Sequence, residues 1–380
     1  MGRSTGAEET DVPSDGRIHR QGSSEPDSAH RPGRHHRRGH HPRSHHPRGH
    51  HLHRWRRALL ASLITAAVVV PLSGATRPEI PAPAPATLAP PTPETLDESY
   101  AANRANAAEA SRMAAAHGDR RRAAADRAMA DPSRRFLAFD GRGSGLATEV
   151  FGDLAAADRI AVLVPGSDTS IDTYDRFRNA ARALHARLTR QAPQGTRTAV
   201  VAWLGYETPG TVSTTVTTTG RADEAAPRLR RFIRQLHALG EHSGPDGQGG
   251  TAQRTPRIAL LCHSYGSVVC GRAASRLDVD DIALIGSPGT GADSAAALRT
   301  PARVWAARGD ADWVANVPHL RIDVLGTTVG FGTDPLSPSF GARVFAAGDG
   351  GHSDYFRPGS LSLANLTHIV LGETSEVSRD

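Results

Sequence analysis

Three residues far apart in the chain have the types and the order needed for nucleophilic acyl chemistry: Ser264, Asp312 and His352. Ser264 stands in the stretch Arg257-Ile-Ala-Leu-Leu-Cys-His-Ser-Tyr-Gly-Ser267. Ile258 to Leu261 make a short buried strand, Ser264 follows at a tight turn, and the small, apolar run Val268 to Leu277 reads as helix. A serine at the apex of a sharp strand-to-helix turn has its hydroxyl lifted clear of the sheet, where an imidazole can take its proton and make it a nucleophile. Such a turn needs small residues two positions before and after the serine, since larger ones collide with the strand and helix. Gly266 meets that demand, and Cys262 stands where the pattern asks for glycine.

The acid and the base follow in chain order. Arg303 to Arg308 is a candidate strand running into Gly309-Asp-Ala-Asp-Trp-Val314, and Ala342 to Ala347 is another running into Gly348-Asp-Gly-Gly-His-Ser-Asp-Tyr-Phe356. Serine, then acid, then histidine is the order used when a strand-to-helix elbow carries the nucleophile. Asp310 on the same turn and Asp293 after the preceding strand are the competing acids. His263, His319 and His368 are the competing bases; His368 sits in Leu361 to Leu371, which has a helical pattern. Two backbone N–H groups, of Tyr265 and of Ser167 in the loop after the Ile160 strand, are the expected oxyanion donors.

The elements that must position these residues begin at Arg134. Phe136 to Phe139 and Leu146 to Phe151 form an entering pair of strands joined by a turn at Gly141 to Gly145. Ile160 to Val164, Thr198 to Trp203, Ile258 to Leu261 and Ile282 to Ile285 are short apolar runs of the fully buried kind. Tyr174 to Leu188 and Ala222 to Leu239 between them carry helical spacing of apolar residues against arginine. The alternation implies a mostly parallel central sheet with helices on both faces, over 134–380.

The runs Val164-Pro-Gly-Ser167, Trp203-Leu-Gly-Tyr-Glu-Thr-Pro209, the elbow with Tyr265-Gly-Ser267, and Gly286-Ser-Pro-Gly289 resemble the actinobacterial α/β-hydrolase family long catalogued as a domain of unknown function (DUF1023-type). The similarity extends from about Tyr100, where Ala102-Asn-Arg104 fits the family's helical lead-in, to about Val370. The resemblance implies an α/β-hydrolase fold and a serine hydrolase without a known substrate. In that family the elbow normally starts with glycine, the position that Cys262 occupies here.

Ahead of this domain the composition changes. The formal net charge of +6 is carried entirely by residues 1–57, a polar stretch rich in Arg, His, Gly, Pro and Ser that is too poor in apolar residues to fold. The domain itself is neutral overall, so nucleic acid is not expected as a partner. A near five-residue repeat pairs histidines at His35-His36, His40-His41, His45-His46 and His50-His51; metal binding, contact with anionic lipid and a merely solvated tail are all open. Residues 58–75 are uncharged and apolar, preceded by Arg54-Trp-Arg-Arg57 and ending in small residues at Ser73 and Ala75. That is the pattern of an export signal, or of a membrane anchor if uncleaved, with the N-terminal tail inside and the domain outside, secreted or tethered. A Pro-rich linker (76–96) and an Ala/Arg-rich helical lead-in (97–133), broken near Gly118, follow.

The expected function is an extracytoplasmic serine esterase acting on an ester or thioester of a small molecule or lipid. An acyltransferase or amidase would use the same triad, and a non-catalytic envelope module could use the same fold. No cofactor and no metal are expected, for the domain has neither a dinucleotide fingerprint after a strand nor a ligand cluster. Cys262 and Cys270 are expected as two buried free thiols, on the reasoning that a strand end and the middle of the following helix diverge beyond disulfide reach.

Overall fold

The structure, a computed structural model, describes residues 80–242, 255–317, 322–324 and 327–379. The histidine repeat, residues 58–75, His319 and most of the glycine-rich loop at 243–255 lie outside the described residues.

Eight strands form one sheet in the order β1-β2-β4-β3-β5-β6-β7-β10. β1 (Phe136–Asp140) and β2 (Leu146–Phe151) pair antiparallel, and β2 pairs antiparallel with β4 (Thr198–Leu204). From β4 onward the pairing is parallel, through β3 (Arg159–Val164), β5 (Arg257–His263), β6 (Asp281–Ile285), β7 (Arg303–Ala307) and β10 (Arg343–Val344). The Ala342–Ala347 run, read as a strand from sequence, pairs over only two residues. A short hairpin of β8 (Ile322–Val324) and β9 (Thr327–Val329) stands apart from the sheet.

The period of two in these strands sorts their side chains onto two faces. Ile160, Val162, Ile258, Leu260, Cys262 and Leu284 belong to one core, shared with α4 (Gly220–His242) and α5 (Gly266–Ala273). Ala161, Leu163, Ala259, Leu261, Ala283 and Trp305 belong to the other, shared with α3 (Tyr174–Gln191) and α6 (Leu361–Leu371). Both faces of the parallel strands are therefore dry, which is why they read as continuous apolar runs.

The lead-in folds as α1 (Leu96–His117) and α2 (Arg120–Met129), separated by Gly118 in the left-handed conformation. Its apolar side is mostly alanine, as the sequence suggests, so the backbones can approach closely: Ala107 and Ala110 are fully buried against Phe136 and Phe139. Ionic ties add direction. Arg122 grips Asp172 and the carbonyls of Gly141 and Gly143, and Arg134 forms a buried pair with Glu149 at 2.7 Å. The end of the Pro-rich segment also packs on the domain, with Ala82 against Gly141 and the Ala84 carbonyl accepting from Asn106.

One expectation fails here. Cys262 and Cys270 form a disulfide, with Cα atoms 6.5 Å apart. The elbow is tight enough that α5 doubles back over the face of β5 from which Cys262 projects. A side chain on Gly266 would lie 2.5 Å from the Val164 carbonyl oxygen, so only glycine lets the helix start that close. Helix and strand have not diverged by Cys270, and the pair stays inside disulfide range.

Candidate active site

Ser264 opens the turn after β5 with φ of 53°, a left-handed conformation rare for a residue with a side chain and one that stores about 1–3 kcal/mol of strain. Its N–H donates to the Ile285 carbonyl at 3.0 Å and its own carbonyl accepts from Ser267, so both neighbours of the turn hold the strained conformation.

The structure brings the three sequence-selected side chains together. Ser264 Oγ lies 2.9 Å from His352 Nε2, and His352 Nδ1 lies 2.9 and 3.0 Å from the two oxygens of Asp312. Because Asp312 can only accept, Nδ1 carries the proton, and Nε2 is left as the acceptor facing the serine hydroxyl. Asp310 is exposed on the same turn, Asp293 is exposed beyond β6, and His368 pairs with Glu373 on the far end of α6.

Asp312 is only 2% exposed. Burial pushes its carboxyl up, but hydrogen bonds from His352, from the Tyr355 hydroxyl at 2.5 Å and from the Val314 N–H at 2.9 Å outweigh that and hold it below the usual carboxylate range. Tyr355, in turn, accepts from the Gly309 N–H at 3.1 Å, and its own ionisation is pushed far up by burial and by the Asp312 charge.

Several participants were not legible from the motifs. Besides Tyr355, His263 packs its ring 4.7 Å from that of His352 and donates from Nε2 to the His352 carbonyl at 2.7 Å. Burial, then the neighbouring His352, lowers the His263 pKa to about 4, so it stays neutral and adds no competing charge. Gly286, with φ of 54°, passes so close that a Cβ there would meet Asp312 Oδ2 at 2.7 Å and His352 Nδ1 at 3.1 Å. Trp313, 51% exposed, rests its indole 4.7 Å from the His352 ring. All four stand in stretches singled out in the sequence, but the residue types there gave no sign of these supporting contacts.

Ser167 and Tyr265 both line the cleft, and neither backbone N–H donates to an acceptor among the described residues. The loop that carries Ser167 is clamped from the segment after β4. Tyr206 donates its hydroxyl to the Pro165 carbonyl at 2.7 Å, the Asp168 N–H donates to Pro209 at 3.0 Å, and Thr208 exchanges hydrogen bonds with Thr169. Asp168 has φ of 57°, and its carboxylate accepts from the N–H and hydroxyl of Thr211. The Trp203 to Pro209 motif thus acts structurally, as a brace for the loop beside the serine.

Residues 140–322 match the model of a family described as alpha/beta hydrolase. The chain has the α/β-hydrolase fold. The match takes in Ser264 and Asp312 and stops short of His352. Among curated proteins, an uncharacterized protein of Mycobacterium tuberculosis is 29% identical over 271 residues, 64% of this chain and 39% of that protein. A second uncharacterized protein of the same species is 32% identical over 179 residues, 45% of this chain and 63% of that protein. The chain therefore spans well under half of the first relative's length. Solved structures similar to it include an α/β serine hydrolase without lid from Xanthomonas campestris (18% identity, 64% of this chain and 94% of that one, TM-score 0.37). Esterase PE8 is another (18% identity, 60% of this chain and 99% of that one, TM-score 0.38).

Proposed function

We propose that this chain is an extracytoplasmic serine hydrolase that cleaves an ester or thioester through an acyl-enzyme intermediate. The observation that carries the reading is the unbroken run of hydrogen bonds from Ser264 Oγ through both nitrogens of His352 to Asp312. Ser264 Oγ attacks the carbonyl carbon while its proton passes to His352 Nε2, giving a tetrahedral oxyanion. The N–H groups of Ser167 and Tyr265 receive that oxygen. Where one such donor has been removed in other enzymes, turnover fell by roughly 10² to 10³. The bond from the carbonyl carbon to the leaving oxygen (ester) or sulfur (thioester) then breaks, and Nε2 returns its proton to the departing alkoxide or thiolate. Water repeats the cycle: it loses a proton to Nε2, attacks the acyl-enzyme, and frees the acid as Ser264 regains its proton.

Asp312 stabilises the transient imidazolium and fixes the ring's tautomer, and Tyr355 keeps that carboxylate ionised and aimed. His263 and Gly286 contribute by holding and admitting the loop that carries His352. The extracytoplasmic placement is supported by the charged and apolar pattern of residues 54–75 and by the Cys262–Cys270 bridge, a bond that persists in oxidising compartments. No described helix is long and apolar enough to cross a membrane; the 58–75 run lies outside the described residues.

Fluorophosphonate labelling tests the proposal. Covalent modification at Ser264, abolished in Ser264→Ala and strongly slowed in His352→Ala, is the expected result. A folded protein that takes no label would make it a binding module instead.

A further inference from the structure

The cleft at Ser264 is lined by apolar side chains together with the exposed Arg176, Asn179, Arg182 and Arg357. Its apolar lining comes from Phe177, Ala180 and Ala183 of α3, from Phe356 and Pro358 beyond His352, and from the fully buried Leu163 and Leu261 of β3 and β5, and we read these as a slot. Phe177, Ala180, Ala183 and Phe356 are only partly covered and pack against the core on that face of the sheet. None of these side chains takes part in the hydrogen bonds at Ser264, so the reaction alone does not account for the space.

We propose that the slot takes the acyl chain of the ester, which makes the substrate class a medium- to long-chain acyl ester rather than an acetyl or other short one. This rests on the serine hydrolase reading. Leu261 and Leu163 each lie three residues before Ser264 and Gly166, so the slot descends from the nucleophile toward the sheet. That direction suits the group that stays on Ser264 in the acyl-enzyme. The alcohol departs toward His352 Nε2, which must give it a proton, and there the exposed Trp313 also borders the cleft. The wall from Phe177 to Ala183 is about 9 Å long at the rise of an α-helix, enough for the greater part of an octanoyl chain. Alanine at 180 and 183 leaves the slot open, and a larger side chain at either position would fill it.

The test reacts the full-length chain with ethyl, octyl and dodecyl fluorophosphonates and follows Ser264 modification by mass spectrometry. Each methylene fully buried changes a rate or affinity by about fourfold, so a half-open slot should favour octyl over ethyl by on the order of 100-fold. Ala180→Phe should cut the octyl-to-ethyl ratio by about tenfold or more. Thermal unfolding checks that this variant folds, and Ala183→Leu carries the test if it does not. Labelling that ignores chain length, or a chain-length preference unmoved by both variants, overturns the slot and leaves the hydrolase reading standing. No labelling by any probe overturns the hydrolase reading and this inference with it.

Discussion

The disulfide between Cys262 and Cys270 brackets the nucleophile, so removing it perturbs stability and chemistry together. The bridge closes a loop with a sequence separation of 8, for which the chain-entropy relation gives about 2.5 kcal/mol at 25 °C. In urea, with a dependence of about 2 kcal/mol per molar, that is a loss of about 1 M in the unfolding midpoint on adding reductant. The double variant Cys262→Ala/Cys270→Ala should unfold at a lower urea concentration than the oxidised protein and show no response to reductant. A functional consequence follows from location. Ser264 holds its strained φ of 53° between the two cysteines, and a loosened α5 no longer presses Gly266 against the β3 end. Phosphonylation of Ser264 should therefore slow in reduced protein well below the unfolding midpoint. Alkylation under denaturing conditions, without prior reduction, is the deciding assay. Capture of both thiols, or a urea midpoint unmoved by reductant, would refute the argument and restore the free-thiol expectation drawn from sequence.

Tyr355→Phe removes a hydrogen bond to a charged acceptor, a loss of about 1.5 to 3 kcal/mol, so kcat should fall at least about tenfold with KM little changed in steady-state assays. The Asp312 pKa is depressed in the folded protein, so its stabilising contribution is present above the unfolded carboxylate pKa and is lost as pH falls through the folded one. Without Tyr355 the folded pKa rises toward the ordinary value, and pH-dependent unfolding should show that contribution lost at higher pH than in wild type. Asp168→Ala unties the loop carrying Ser167 from Thr211; kcat should fall by about 10 to 100-fold, less than the roughly 10² to 10³-fold cost of losing an oxyanion donor outright, with KM nearly constant. Gly286→Ala drives a methyl group into Asp312 and His352 at a position with φ of 54°; Ser264 labelling should drop by on the order of 100-fold or more while circular dichroism still reports a folded protein.

What the sequence carried best were features set by near neighbours. The strand-to-helix turn at Ser264 is written in the eleven consecutive residues from Arg257 to Ser267, and the buried strands announce themselves because both faces of a parallel sheet are dry. The serine, acid and histidine order narrowed the site to a few loop residues, with Asp310 and Asp312 on one turn and four histidines left to weigh. Proximity across long separations is different. His352 is 88 residues from Ser264 and 40 from Asp312, and Tyr355 reaches Asp312 from 43 residues away. Those meetings exist because β5, β6, β7 and β10 lie side by side and parallel, which puts the loops after them at one edge. The Cys262–Cys270 bridge, only 8 residues apart, runs against the two free thiols expected from sequence, since it depends on how steeply α5 folds back. Local sequence thus determined which residues could react and what elements they sit on. The stacking of those elements alone decided which acid, which imidazole and which supporting hydroxyl would meet the serine, because backbone periodicity acts over a few residues and strand order over the whole chain.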